Sequence, residues 1–146
     1  MDLIRQVAVC VFRKDGRILL VEGYDHSRKQ IFFRPLGGEI AFGERGENTI
    51  RREIRKVLSS EVVEVKYLGL LENIFTFNDQ TYHELVLVYE GRLSNPLLYE
   101  AGEMTGNESG EENAVKVVWK RLDEFGESDP PLYPDGLLRL MPHMRF

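Results

Sequence analysis

The stretch GGEIAFGERGENTIRREIRKVLSSEV, Gly37 to Val62, places two glycines, several carboxylates and several cations at spacings that suit phosphate chemistry. Gly37 and Gly38 follow a short apolar run stopped by Pro35. Glycines at such a place provide φ > 0 or a close backbone approach. The exposed amides of Gly37, Gly38 and Glu39 are expected to cradle an anion in a nest-like turn, with Arg34 beside them. Glu44, Glu47 and Glu53 gather around the start and middle of the helix that follows. Mg²⁺ or Mn²⁺ bound to phosphate takes hard oxygen ligands, usually one or two carboxylates completed by water and phosphate. Positions 53, 56 and 57 share one helix face and would point at one ion. Here they are Glu53, Lys56 and Val57, so one carboxylate stands where several are expected.

The elements that must hold these side chains are legible from periodicity. VAVCVF, Val7 to Phe12, is continuously apolar and β-branched, and reads as a strand buried on both faces. KDG then marks a turn into RILLVEG, giving a hairpin. IFFRPLGG is a short strand, and HSRKQ before it a polar loop. From Gly46 the period changes: Ile50, Ile54, Val57 and Leu58 form one apolar stripe on a helix of about three turns. SSEVVEVKYLGLLENIFTF returns to alternation as one or two strands, paired across NDQ with the strand TYHELVLVYEGRL. Tyr99 to Ala114, rich in Gly, Glu and Asn, has almost nothing to bury and reads as a mobile surface loop. VKVVWKRLDEF gives a last strand and a short helix. A final amphipathic helix is expected to bury Leu137, Leu138 and Met141. Strands interleaved with helices imply an α/β or α+β domain with helices packed on a mixed sheet.

Length and composition narrow the classes. With 146 residues, 42% hydrophobic and 29% charged, the chain is expected to form one soluble domain over residues 1–146 with a substantial core. A formal charge of -5 argues against a nucleic-acid polymer as partner. No run approaches the roughly 20 apolar residues of a membrane span. The beginning MDLIRQVAVCVF lacks the basic start and cleavage site of a secretory signal, so the expected setting is cytoplasmic. The single Cys10 agrees with a reducing compartment and is expected in the core.

The spacing of Gly38, Glu44, Arg52, Glu53 and Ile54 resembles the Nudix box of the Nudix (MutT-like) hydrolase family, written G-x5-E-x7-R-E-U-x-E-E-x-G-U with U apolar. FRPLGGEIAFGE, YHELVLVYEGRL, VVWKRLDEF and LYPDGLLRLM are also similar to family members, so the likeness spans nearly the whole chain. The resemblance implies the Nudix fold, an α/β/α sandwich with a mixed sheet. It implies a hydrolase that uses Mg²⁺ or Mn²⁺ on the pyrophosphate of a nucleoside diphosphate linked to another group, for example ADP-ribose or a nucleotide sugar. Glu53 would be the remaining metal ligand and Glu44 a helper; Arg52 would brace the glycine loop. A homodimer is compatible with the resemblance.

The departures bear on activity. Lys56 and Val57 replace the family's paired glutamates, and Ser59 and Ser60 replace its Gly and apolar residue. Two negative charges are lost and one positive is gained, in a class of chemistry dominated by electrostatics. The Lys56 ammonium is expected to sit where a metal would bind, to hold Glu53 and to attract phosphate, without acidifying a bound water. Metal-dependent catalysis is therefore expected to be weakened. The alternative is a catalytically silent Nudix domain that binds a nucleotide-like ligand as sensor, regulator or interaction module. Two outside sources for a missing carboxylate are open: Glu84, on an apolar strand where an inward acid needs a partner, and Glu103, Glu108, Glu111 or Glu112 of the acidic loop. Glu53 has an equal reading as a structural partner of Lys56 or Arg52. His26 and His83 read as solvated or hydrogen-bonded. Trp119, Phe32, Phe33 and Phe75 read mainly as core, with base stacking the lesser reading.

Overall fold

The computed structural model describes residues 2–106, 114–125 and 130–141. Strand β1 (Ile4–Val11) is the element around which the rest is built. It pairs in parallel with β7 (Gln80–Leu93) on one side and antiparallel with β5 (Leu36–Glu39) on the other. β6 (Val62–Phe77) completes this mixed sheet in the order β5-β1-β7-β6. A second, antiparallel sheet runs β2 (Arg13–Lys14), β3 (Arg17–Asp25), β9 (Val115–Arg121), β8 (Glu103–Gly106), with β4 (Gln30–Arg34) also paired to β3.

The continuous apolar run of β1 has the reason the sequence suggested. Ala8 and Cys10 pack with Ile50, Ile54 and Leu58 of helix α1 (Gly46–Leu58). Val9 and Val11, on the opposite face, pack with Ile18, Leu20, Val86, Val88 and Val118 between the sheets. Each such side chain contributes roughly 1.5–3 kcal/mol by burial. Burial also pushes the Cys10 thiol far above its ordinary range, which leaves it a small inert core residue.

The segment Val62–Phe77, expected as one or two strands, is one long strand, bent by register shifts at Val63/Lys66 and Tyr67/Gly69. Two other expectations are corrected. The acidic stretch is not wholly a loop. Glu103–Gly106 forms β8, where Met104 packs on the core and Gly106 lies against Val57. Glu108, Glu111 and Glu112 lie outside the described residues. The expected last helix is a single 3-10 turn, Leu137–Leu140, which buries Leu137 and Met141 but leaves Leu138 exposed. Gly136 precedes the turn and Pro142 follows Met141 in the sequence, and the run between them is short for a helix to nucleate.

Turn chemistry fixes the sheet ends. Asp15-Gly16 and Asn78-Asp79 both carry positive φ, as two-residue hairpin turns require. The buried Asp25 accepts through Oδ1 from the amides of Ser27, Arg28 and Asn78, at 3.0, 3.3 and 3.3 Å. Asn78 Oδ1 in turn accepts from the His26 amide at 2.8 Å. The tips of β3–β4 and β6–β7, one from each sheet, are thus tied together. Replacing Asp25 by Ala strands three donors and is expected to cost about 1–3 kcal/mol in urea unfolding. Ser59 ends α1 at φ 53, ψ 40, the left-handed conformation that glycine adopts freely. Ser59→Gly is expected to stabilise the fold by about 0.5–1 kcal/mol in the same measurement.

Candidate functional site

A cleft of about 720 Å³ opens between the two sheets, a size suited to a nucleotide-sized ligand. Arg34, Gly37, Gly38 and Glu39 form one margin. Arg5, Asn73 and Glu84 lie on its floor, and Phe32, Phe75, Tyr82 and Tyr133 flank it. The remaining candidates, Glu44, Arg52, Glu53 and Lys56, are not among the residues lining it. The residues singled out from sequence therefore divide into a cleft group and a helix group.

The glycines act differently from the sequence reading. Gly37 and Gly38 lie inside β5, opposite Val9 and Ala8, and neither has positive φ. No nest of the expected kind forms there. The requirement is closeness: a Cβ on Gly37 would fall 2.0 Å from the Ala8 carbonyl oxygen, and one on Gly38 2.8 Å from Glu53 Oε1. β5 is the edge of its sheet, so part of its backbone is turned away from β1 and remains able to meet a ligand.

Beneath Gly38 the helix group closes on itself. Arg52 donates from Nε to Glu44 Oε2 at 3.0 Å and from Nη2 to Glu44 Oε1 at 2.9 Å, a two-pronged clamp. Its Nη1 donates to Glu53 Oε1 at 2.7 Å, and its Nη2 also to the Glu39 carbonyl at 3.1 Å. Thr49 Oγ1 and the Ala41 amide donate to Glu44 as well, at 2.7 and 3.2 Å. The Arg52 and Thr49 hydrogen bonds hold the Glu44 carboxyl down to about 2. Glu53 is 1% exposed, and its Oε2 has no hydrogen-bond partner among the described residues. The side chain that holds Glu53 is Arg52, while Lys56 is exposed on the helix surface. Val57 is 6% exposed and belongs to the core. Ser60, also buried, is bonded to the Glu61 carbonyl and lies 3.4 Å from the Ser94 hydroxyl.

These residues do not fit a resident divalent ion. Glu53 Oε2 is an available acceptor, but one guanidinium already occupies both oxygens of Glu44 and the other oxygen of Glu53. Among the described residues no three His, Cys, Asp or Glu side chains converge into a metal-binding group. Glu84 does not complete one: it is buried in the cleft floor as the ion-pair partner of Arg5. A hard cation seeks concentrated negative charge and several oxygens, and Arg52 removes much of both.

Sequence reasoning missed Arg5, Asn73, Tyr82 and Tyr133. Arg5 sits opposite Glu84, and Glu84 opposite Asn73. A partner for an acid inside an apolar strand was the available signal, but register across 79 residues is not written locally.

The depressed carboxyl of Glu44 makes stability depend on pH. Its contribution is complete above the ordinary value of 4.5 and is lost as pH falls toward about 2, because the unfolded chain then binds a proton that the native clamp refuses. The midpoint of urea unfolding is expected to fall over this window. Glu44→Gln should flatten that segment and lower stability at pH 7.

The comparisons accord with this geometry. A NUDIX domain family model matches residues 2–143. A MutT NUDIX hydrolase from Burkholderia pseudomallei superposes with TM-score 0.66 at 20% identity, covering 98% of this chain and 100% of that one. A NUDIX hydrolase from Nitrosomonas europaea gives 0.58 at 17% identity, over 84% and 75% of the two chains. An ADP compounds hydrolase gives 0.54 at 15% identity, over 84% and 60%. No protein of curated function matches in sequence. Identities this low speak for the fold alone, but the family model covers almost the whole length, and the chain belongs to the Nudix family.

Proposed function

We propose that this Nudix domain binds a nucleoside diphosphate linked to another group in the cleft between its sheets, and that its metal-dependent pyrophosphate hydrolysis is weak. The reading rests chiefly on Lys56 and Val57: the positions of the box's paired glutamates hold an exposed ammonium and a core side chain, so neither adds a carboxylate beside Glu53. The cleft has the polarity for such a ligand, with Arg34 and the edge backbone of Gly37–Glu39 for phosphates and aromatic flanks for an apolar ring. Lys56, exposed on α1 and outside the cleft lining, supplies no carboxylate with which to generate a nucleophile from water. The neighbour described as an ADP compounds hydrolase supports the ligand class.

The packing of Val57 favours the stronger form of this reading, binding without turnover. Its side chain lies where Gly106 of β8 approaches within Cβ-contact distance, so a carboxylate there would be pressed into the core instead of meeting a metal. The divergence from the family box is built into the packing, beyond the change of charge.

Calorimetric titration with an ADP-sugar, with Mg²⁺ and then with EDTA, tests both forms. Affinity is expected to change less than about threefold between the two, since little of the binding runs through a metal. Turnover followed by product release is expected to be slow and insensitive to Glu53→Gln. Fast Mg²⁺-dependent hydrolysis abolished by Glu53→Gln would overturn the reading.

A further inference from the structure

Three adjacent strands place one polar residue each in a single row across the cleft floor: Arg5 on β1, Glu84 on β7 and Asn73 on β6. The rows on either side are apolar, Val7 with Val86 and Leu71 on one flank, Tyr82 with Phe75 on the other. Strands about 4.8 Å apart make this strip roughly 10 Å long, the scale of one edge of a purine. Glu84 is 9% exposed and Asn73 3%, so both are held well below the surface. Polar groups so placed are normally satisfied, yet Arg5 Nε is buried with no hydrogen-bond partner among the described residues. Asn73 spends its Oδ1 on the Asp135 amide at 3.4 Å, which orients its NH₂ as a donor. Arg5 is held in place by its ion pair with Glu84 and by the Tyr82 ring, 5.2 Å from its guanidinium carbon.

We propose that this row reads the edge of a nucleobase and selects a 2-amino-6-oxopurine, the guanine type, over adenine. The inference rests on the nucleotide-binding reading and specifies its base. Arg5 takes one acceptor site on Glu84 Oε2, but each carboxylate oxygen has a second, so the group still matches two neighbouring N–H donors, which guanine presents at N1 and N2. Adenine presents a bare ring nitrogen there, so lone pair would face lone pair. The flanking donor on the side of position 6, Arg5 in this orientation of the base, matches a 6-oxo group and would meet a donor in adenine's 6-amino group. Glu84, Arg5 and Asn73 are thus specificity residues, distinct from the helix group around Arg52.

The test is calorimetric binding of GDP, IDP, ADP and inorganic pyrophosphate to the whole chain in EDTA, where turnover does not intrude. GDP is expected to bind at least about tenfold tighter than ADP, with IDP, which lacks the 2-amino group, in between. Glu84→Gln should bring the GDP/ADP ratio close to one. Arg5→Lys keeps the charge beside Glu84 but removes the Nε donor and the guanidinium fork, and should move GDP and IDP together toward ADP. A role in folding alone would shift thermal unfolding and leave these ratios unmoved, which would overturn the inference. Equal binding of the three nucleotides, or pyrophosphate as tight as GDP, overturns it while the Nudix ligand class stands. Failure of every nucleotide to bind overturns both.

Discussion

The bond from Arg52 to Glu53 under Gly38 organises the helix side of this molecule. It is made at the point where helix and sheet approach too closely for any side chain on Gly38. The same guanidinium grips Glu44 and the Glu39 carbonyl, so the loop between β5 and α1 is fixed at both ends by one cation. Glu53, the buried member, depends on this arginine, because without it a charge in the core would be left uncompensated. Compensation of that sort leaves the two acids little negative field to offer an ion. One arrangement thereby accounts for the geometry of the loop.

Around this clamp the fold separates two tasks. The helix side of the mixed sheet is occupied by α1 and a dense aliphatic cluster, while the opposite side faces the second sheet across the cleft. β1 serves both, its alternate residues going to the two sides, and β5 carries the margin of the cleft directly over Glu53. The cleft margin and the polar row of its floor therefore fall on different strands. Changes in the helix need not disturb the floor, because the two lie on opposite sides of the mixed sheet.

Much of this was legible. The stripe Ile50, Ile54, Val57 and Leu58 specified the buried face of α1, and Val57 in the core follows from its place in that stripe. The two-sided burial of β1 followed from its unbroken apolar run. The glycine pair pointed to the right place for a different reason, because steric closeness and left-handed backbone leave the same residue in a sequence. The choice of Arg52 over Lys56 as the holder of Glu53 depended on side-chain reach, which spacing alone does not resolve. The polar row of the floor was hidden by strand register, and β8 by the low hydrophobicity of an edge strand that pairs mainly through its backbone.

The knot of Asp25 and Asn78 has a mechanical corollary. Tyr24, His26 and Asn78 stand at the rim of the cleft, so stitching one hairpin to the other sets the gape of the entrance. The sheets are hindered from parting like a pair of jaws, and a bulky guest must be admitted by rotation of rim side chains. Severing that stitch would loosen the entrance while the helix and its clamp, at a distance, kept their shape.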